Sequence, residues 1–303
     1  MTCYTTALSR QQMEKLRGIL HERGWEERPV PHALFAASGP KVQVVAYESG
    51  KCVVQGNGTA EFVEFTLEPL VLERAELGYE AQLRPEVYAE HIGVDESGKG
   101  DFFGPLVIAG VHATQGGVHE LVEMGVRDSK KITSERVLED FYKKISGSNA
   151  VTREVIVLAP EKYNELQRRM RTVNEVLGWA HATVAKKLLE RFPQCRRAVF
   201  DQFAKSPRTI LKYLGEAARG VDVVQRHRAE EDPVVAAASI VARRFFLKSL
   251  AEMSQQTGEK IPPGASAEVK ETARKLLKKI GQQRLSGMVK THFKTWQELD
   301  ELF

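Results

Sequence analysis

The sequence predicts an α/β protein in two parts: a small α+β unit followed by a larger one in which strands and helices alternate. Three observations carry this. The chain has 303 residues, and at roughly 150 residues per domain that length suits two cores. The first part joins a helix-period stretch to two short strand patterns. Beyond His91, short apolar runs alternate with helix-period segments, and acids stand at the ends of those runs. The expected boundaries are 1–85 and 86–303.

Taken in order, Ser9 and Gln12 form a capping-box pattern, and Leu16, Ile19 and Leu20 follow at helical spacing, so a helix is expected over about 9–23. Lys41–Tyr47 and Cys52–Gln55 read as strands joined by a hairpin turn at Glu48-Ser49-Gly50-Lys51, and Gly56-Asn57-Gly58 closes that unit. Glu61–Glu76 reads as a helix, with Pro69 expected to break or kink it. A linker with some helical tendency spans 77–90. In the second part, Ile92–Asp95 and Leu106–His112 are apolar runs joined by a glycine-rich turn, an antiparallel pair. Thr133 or Ser134 caps a helix carrying Val137, Leu138, Phe141 and Ile145. Glu154–Leu158 is a strand, and Asn174 caps a long helix with Val176, Leu177, Ala180, Val184 and Leu188 on one side. Asp232-Pro233 is an N-cap followed by proline at the first helical position. Gly258–Ala265 is a loop, and Glu268–Arg284 is a basic helix.

Composition is ordinary for a globular chain, with 42% hydrophobic and 28% charged residues. Three widely spaced cysteines, Cys3, Cys52 and Cys195, argue against a disulfide framework or a zinc site and fit a reducing cytoplasm. No apolar run approaches the roughly 18 residues of a membrane span, and no signal-peptide core is expected near Met1. The net charge of +4 is unevenly spread. Residues 1–85 hold 9 Lys+Arg against 11 Asp+Glu, while residues 86–303 hold 35 against 29. The basic surplus therefore lies in the part that carries the acidic motifs, as suits an enzyme that grips a polyanion or, equally on the count alone, an ordinary solvated basic surface.

The most informative stretch is Ile92-Gly-Val-Asp95-Glu96-Ser-Gly98-Lys99-Gly100-Asp-Phe-Phe-Gly104-Pro105. Adjacent residues on a strand point to opposite faces, so Asp95 and Glu96 converge only if Glu96 lies where the strand ends and the backbone bends. Gly98 and Gly100 permit such a bend. An acid pair beside glycines and a lysine suits a hard cation together with a phosphate. A second run, Ala198-Val-Phe200, delivers Asp201, and a third acidic cluster, Glu230-Glu231-Asp232, precedes an alanine-rich segment.

These residues resemble the motifs of the type 2 ribonucleases H, and specifically ribonuclease HIII. The resemblance rests on the Asp95–Pro105 stretch, Asp128-Ser129-Lys130-Lys131-Ile132, Phe200-Asp201-Gln-Phe203, Ala236–Arg243 and Lys290-Thr-His-Phe-Lys294. It covers about residues 85–300, and more loosely the whole chain. It implies a ribonuclease H-like mixed sheet flanked by helices, preceded by a small α+β domain similar to a TATA-box-binding-protein module. It also implies an endonuclease that cuts the RNA strand of RNA–DNA hybrids with two divalent ions, Mg²⁺ or Mn²⁺, leaving 5′-phosphate and 3′-hydroxyl ends. Carried over residue by residue, the metal-binding acids are Asp95, Glu96, Asp201 and Glu230. Asp95 would be shared by both ions, Glu96 and Glu230 would hold one, and Asp201 the other. This chain is one residue short before its alanine-rich segment, so Glu231 or Asp232 is an alternative fourth acid.

The resemblance also assigns substrate contacts. Backbone N–H groups of Gly98, Lys99 and Gly100 would meet ribose 2′-hydroxyls. Ser129, Lys130 and Lys131 would bind phosphate, as would Lys290, His292 and Lys294 along the backbone path. Ser49 and Lys51 match the turn of the N-terminal module, which would bind the hybrid. The partner is thus an RNA–DNA hybrid, with no membrane, and the chain is expected to be monomeric. The alternatives are ribonuclease HII-like cleavage at a single ribonucleotide in DNA, or a non-catalytic hybrid-binding protein.

Overall fold

The computed structural model describes residues 3–72, 85–126, 132, 134–204 and 206–300. The chain divides into two compact units, Met1–Glu86 and Val87–Phe303.

The first unit is an antiparallel five-stranded sheet with helices on one face. The strands are β1 (Cys3–Ala7), β2 (Glu26–Glu27), β3 (Ala33–Gly39), β4 (Val42–Tyr47) and β5 (Lys51–Gln55), in the order β1-β5-β4-β3-β2. Helix α1 (Arg10–Glu22) starts in the expected capping box: Gln12 N donates to Ser9 Oγ at 3.2 Å, and Ser9 N donates to Gln12 Oε1 at 2.9 Å. Leu16 and Leu20 pack with Val44, Ala46, Cys52 and Val54 in one core. Helix α2 (Thr59–Phe62) runs on into a π-helix, Val63–Leu72. Pro69 lies inside that π-helix, so the helix runs through the proline, in a stretch that departs from α-helical geometry, and residues 73–76 of the expected helix lie outside the described residues. Strands β1 to β3 were not legible, being short or rich in small residues with weak alternation.

The second unit is built on a mixed five-stranded sheet. Its strands are β6 (His91–Ser97), β7 (Leu106–Ala113), β8 (Val151–Leu158), β9 (Arg197–Asp201) and β10 (Asp222–Arg226), in the order β10-β9-β6-β7-β8. β6, β7 and β8 form an antiparallel meander, while β9 and β10 lie parallel to β6. Helices α3 (Gln115–Glu123), α4 (Glu135–Gly147), α5 (Pro160–Met170), α6 (Val173–Arg191), α7 (Arg208–Leu214), α8 (Pro233–Thr257), α9 (Ala267–Ile280), α10 (Gln282–Ser286) and α11 (Lys294–Asp300) surround it.

Two cores sandwich the sheet. Ile92, Val94, Leu106, Ile108 and Phe200 pack with Val176, Leu177, Val184 and Leu188 of α6. On the other face, Val107, Ala109 and Val111 pack with the alanine-rich start of α8. The closeness of that second contact explains the small residues: a Cβ on Gly93 would lie 2.5 Å from the backbone of Val234 and Val235.

The basic helix expected over 268–284 stops at Ile280, where Gly281 at φ +78° separates α9 from α10, and two further details differ from expectation. α6 is capped by Thr172, whose hydroxyl accepts from Glu175 N at 3.2 Å, and Asn174 sits in its first turn. Val137 on α4 is exposed while Leu138 and Ile145 are buried. Thr133 lies outside the described residues.

Candidate active site

β6 and β9 run parallel, pairing from Ile92↔Ala198 to Val94↔Phe200. Asp95 and Asp201 come next on each strand, so the register alone brings the two carboxylates to the same end of neighbouring strands. A cleft of about 330 Å³ opens there. Asp95, Glu96, Gly98, Lys99, Gly100, Asp101, Asp201, Ser239 and Arg243 line it. Sequence reasoning had given no role to Ser239 or Arg243 of α8, although both sit in a motif it singled out.

The strand does not end between the two acids. β6 stays paired with β7 through Glu96↔Ile108 and Ser97↔Val107, and the bend comes at Gly98, whose φ is +91°. A Cβ at Gly98 would fall 2.2 Å from Pro105 O, so only glycine fits. Asp95 therefore faces α8 and Glu96 faces α6. Both still reach the cleft because the pairing of β6 with β9 stops at Val94, leaving that edge open beyond it.

The environments of the two acids push them apart. Asp95 is buried, 6% exposed. Its carboxyl is held well above the ordinary range, first by burial and then by the charges of Glu96 and Asp201. A donated bond from Glu96 N at 2.7 Å and a contact with Ser239 oppose this only partly. A carboxylate that protein cations leave uncompensated is what a bound cation would stabilise. Burial also opposes ionisation of Glu96, but His181 and Lys99 outweigh it and hold Glu96 below the ordinary value. His181 Nε2 of α6 stands 3.1 Å from Glu96 Oε2, off the line of a straight hydrogen bond, and Lys99 Nζ stands 3.5 Å from Oε1. His181 is fully buried and was missed in the sequence; the only signal was a histidine beside the apolar stripe of that helix.

The third acidic cluster separates into different environments. Glu230 rides on a 3-10 turn, Ala229–Glu231, between β10 and α8. That turn is tied to the site by Ala229 N, which donates to Asp201 Oδ1 at 3.1 Å. Glu230 is half-buried and Glu231 exposed. Asp232 is 2% exposed and engaged in the fold. Its Oδ1 caps α8 by accepting from Val234 N at 3.0 Å and contacts His91 Nε2 at 2.9 Å. Its Oδ2 lies 3.6 Å from Arg226.

Other expected contacts fall elsewhere. Lys290 cannot line a backbone path: it is fully buried, and Nζ donates to the carbonyls of Asp101 at 2.9 Å and Gly104 at 2.7 Å. Burial lowers its pKa to about 7. It clamps the chain just after the glycine turn. His292 is partly buried beside Tyr163, and Lys294 is exposed. Ser49 and Lys51 are exposed at the β4–β5 hairpin of the first unit. Ser129, Lys130 and Lys131 lie outside the described residues.

The acid-lined cleft lies at the carboxyl ends of the parallel strands β6 and β9, where open α/β sheets bind their ligands. Comparison with known proteins identifies the class. The family model for ribonuclease HII matches residues 92–296, and a domain of unknown function matches residues 6–71. Ribonuclease HIII of Chlamydia felis is 42% identical over 300 residues, spanning 98% of this chain and 97% of that protein. Ribonuclease HIII of Chlamydia trachomatis serovar D is 40% identical over 297 residues, with the same coverage. Among solved structures, Bst-RNase HIII in complex with Mn²⁺ aligns over 99% of each chain, with a TM-score of 0.67 and 26% identity. RNase H3 of Aquifex aeolicus aligns over 96% of this chain and all of its own, with a TM-score of 0.57 and 27% identity. The chain belongs to the ribonuclease HIII family. Among the described residues, no helix is long and apolar enough to cross a membrane.

Proposed function

We propose that this chain cleaves the RNA strand of RNA–DNA hybrids internally, leaving 5′-phosphate and 3′-hydroxyl ends, and that the cleft at Asp95 is where it does so. The observation that carries the reading is the convergence of Asp95, Glu96 and Asp201 with the Gly98-Lys99-Gly100 turn in one cleft. Divalent ions there, Mg²⁺ or Mn²⁺, would supply an activated water and neutralise charge on the phosphorus and the leaving oxygen. The donor set fits such ions: it is all oxygen, and Asp95 is a buried carboxyl short of positive partners. Asp95, Glu96, Asp201 and Glu230 would hold them.

The fourth position goes to Glu230. Asp232 is committed to capping α8 and to His91, and Glu231 is exposed. Lys99 and Arg243 would attract the scissile strand's phosphates, and the N–H groups of the glycine turn would meet the 2′-hydroxyls that mark RNA. The first unit, residues 1–85, would bind hybrid through the turn at Ser49 and Lys51, and Ser129, Lys130 and Lys131 would add phosphate contacts. The enzyme would act as a monomer in a reducing cytoplasm, in keeping with three free cysteines.

The test is cleavage of a labelled uniform hybrid beside a DNA duplex carrying one ribonucleotide, each with Mg²⁺ and with Mn²⁺. Cuts throughout the hybrid's RNA strand are expected. Cleavage confined to the single ribonucleotide would favour the ribonuclease HII-like alternative. Tight binding with no cleavage in either metal would leave only a hybrid-binding protein.

A further inference from the structure

The other end of β6 gathers a second group of metal-ligating side chains. Glu90 precedes β6, His112 lies near the end of β7, and Cys195 precedes β9. One ligand atom from each lies within 4.8 Å of the others. Asp95 is five residues further along the strand, about 16 Å away at ~3.3 Å per residue, so the two groups do not share a site.

The three side chains are held in place. The His112 ring stacks on Phe192 with centroids 3.7 Å apart and planes 8° from parallel. Its Nε2 lies 2.8 Å from Glu90 Oε1, which also accepts from Gln194 Nε2 at 3.1 Å. Cys195 is 1% exposed, and its thiol donates only weakly to Arg197 O at 3.4 Å. The backbone of Ile92 hydrogen-bonds to the same sulfur, a contact that favours the thiolate. Burial raises the Cys195 thiol and lowers His112, which favours the neutral imidazole that a metal ligand needs. The Glu90 side chain is 30% exposed and gives an ion a way in.

We propose that Glu90, His112 and Cys195 form a second cation site that takes a thiophilic divalent ion of the zinc class, with water completing the coordination on the solvent side. Sulfur, imidazole nitrogen and carboxylate oxygen together select Zn²⁺ or Co²⁺, whereas the all-oxygen cleft selects harder ions. On binding, the Cys195 thiol releases its proton to solvent, His112 passes the Nε2 proton it donates to Glu90 to its own Nδ1 through solvent and so presents an Nε2 lone pair to the ion, and Glu90 exchanges its histidine contact for the metal. One proton leaves per ion bound. The site would tie together the approaches to β6 and β9 and the end of β7, segments far apart in sequence.

The test uses the full-length chain carrying Asp95→Asn, so that the acidic cleft competes less, in excess Mg²⁺. Co²⁺ is titrated in, followed by Zn²⁺. One equivalent of Co²⁺ should produce a thiolate-to-cobalt charge-transfer absorption in the near ultraviolet, which Zn²⁺ abolishes. Cys195→Ser should remove that absorption and, in an otherwise natural chain, leave Mg²⁺-dependent hybrid cleavage intact. Glu90→Gln, at a partly exposed position and with a side-chain oxygen still able to accept from His112, should weaken Co²⁺ affinity by at least about tenfold. Absence of the absorption at one equivalent would overturn the proposal. So would its survival in Cys195→Ser, or an unchanged affinity in Glu90→Gln.

Discussion

Asp232 and Glu230 stand two residues apart; the structure engages Asp232 in the fold, the proposed function gives Glu230 the fourth metal position, and one pair of variants separates the two. In Asp232→Ala, α8 loses its N-cap, worth about 1 kcal/mol. The buried His91 Nε2 also loses its partner at 2.9 Å, which costs about 1–3 kcal/mol. The sum is about 2–4 kcal/mol, or a fall in Tm of about 5–15 °C for a unit of this size. The loss should depend on pH in a definite sense. Burial works against ionisation of Asp232, but His91, the helix start and Arg226 together hold it below the ordinary carboxyl value. Its stabilisation is therefore complete above the unfolded value of about 3.9 and fades as pH falls through the lower native one. The gap between natural and variant protein should accordingly narrow below about pH 4. Glu230→Gln, on a half-buried turn, should change stability by no more than about 0.5 kcal/mol. It should lower hybrid cleavage by at least about 100-fold. Urea unfolding and hybrid cleavage, measured on both variants, give the answer. If Asp232→Ala abolishes cleavage at full stability while Glu230→Gln stays active, the assignment of the fourth acid is refuted.

Three further outcomes are expected. Asp95→Asn should abolish cleavage yet raise the Tm of the metal-free protein at neutral pH. A carboxyl raised in the native state loses stability as pH climbs from its unfolded to its native value, and the amide removes that loss; an unchanged or lower Tm, read by calorimetry in chelator, would contradict it. The Lys290 amine is held near pH 7 by burial, so the unfolded chain binds the extra proton between about pH 7 and 10 and this group adds stability as pH rises there. Subtracting the stability curve of Lys290→Met from that of the natural protein should expose that rising slope, and a flat difference would sink the idea. Deleting residues 1–85 should leave a folded catalytic unit, since the strands that carry Asp95 and Asp201, the turn that carries Glu230 and the helices packed on them all belong to the second unit. It should raise KM for hybrid far more than it lowers kcat, with little change in the salt dependence of binding because the deleted part carries net charge −2; hybrid titrations over a salt series check both.

Much of the site was legible because its parts are local. Asp95, Glu96 and the glycine turn are contiguous, Asp201 ends an obvious apolar run, and the Asp232-Pro233 cap is a two-residue signal. The capping box at Ser9 and the meander of β6 with β7 follow from equally short patterns. Tertiary structure decided what depends on partners distant in the chain. The parallel register of β6 and β9 sets Asp95 beside Asp201, and no periodicity encodes a register between strands about a hundred residues apart. His181 meets Glu96 only because α6 packs on one particular face of the sheet. Lys290 looks like a surface phosphate ligand until the fold buries it against three backbone carbonyls. The split between Glu230 and Asp232 is likewise a matter of burial: both are acids before one helix, and His91, reaching across from β6, joins the helix cap and Arg226 in tying Asp232 into the fold. Sequence alone determined which chemistry the chain carries, because side-chain chemistry and chain-local turns are written residue by residue. The packing of distant segments decided which acid is taken up by the fold, since burial and partner distance exist only once those segments meet.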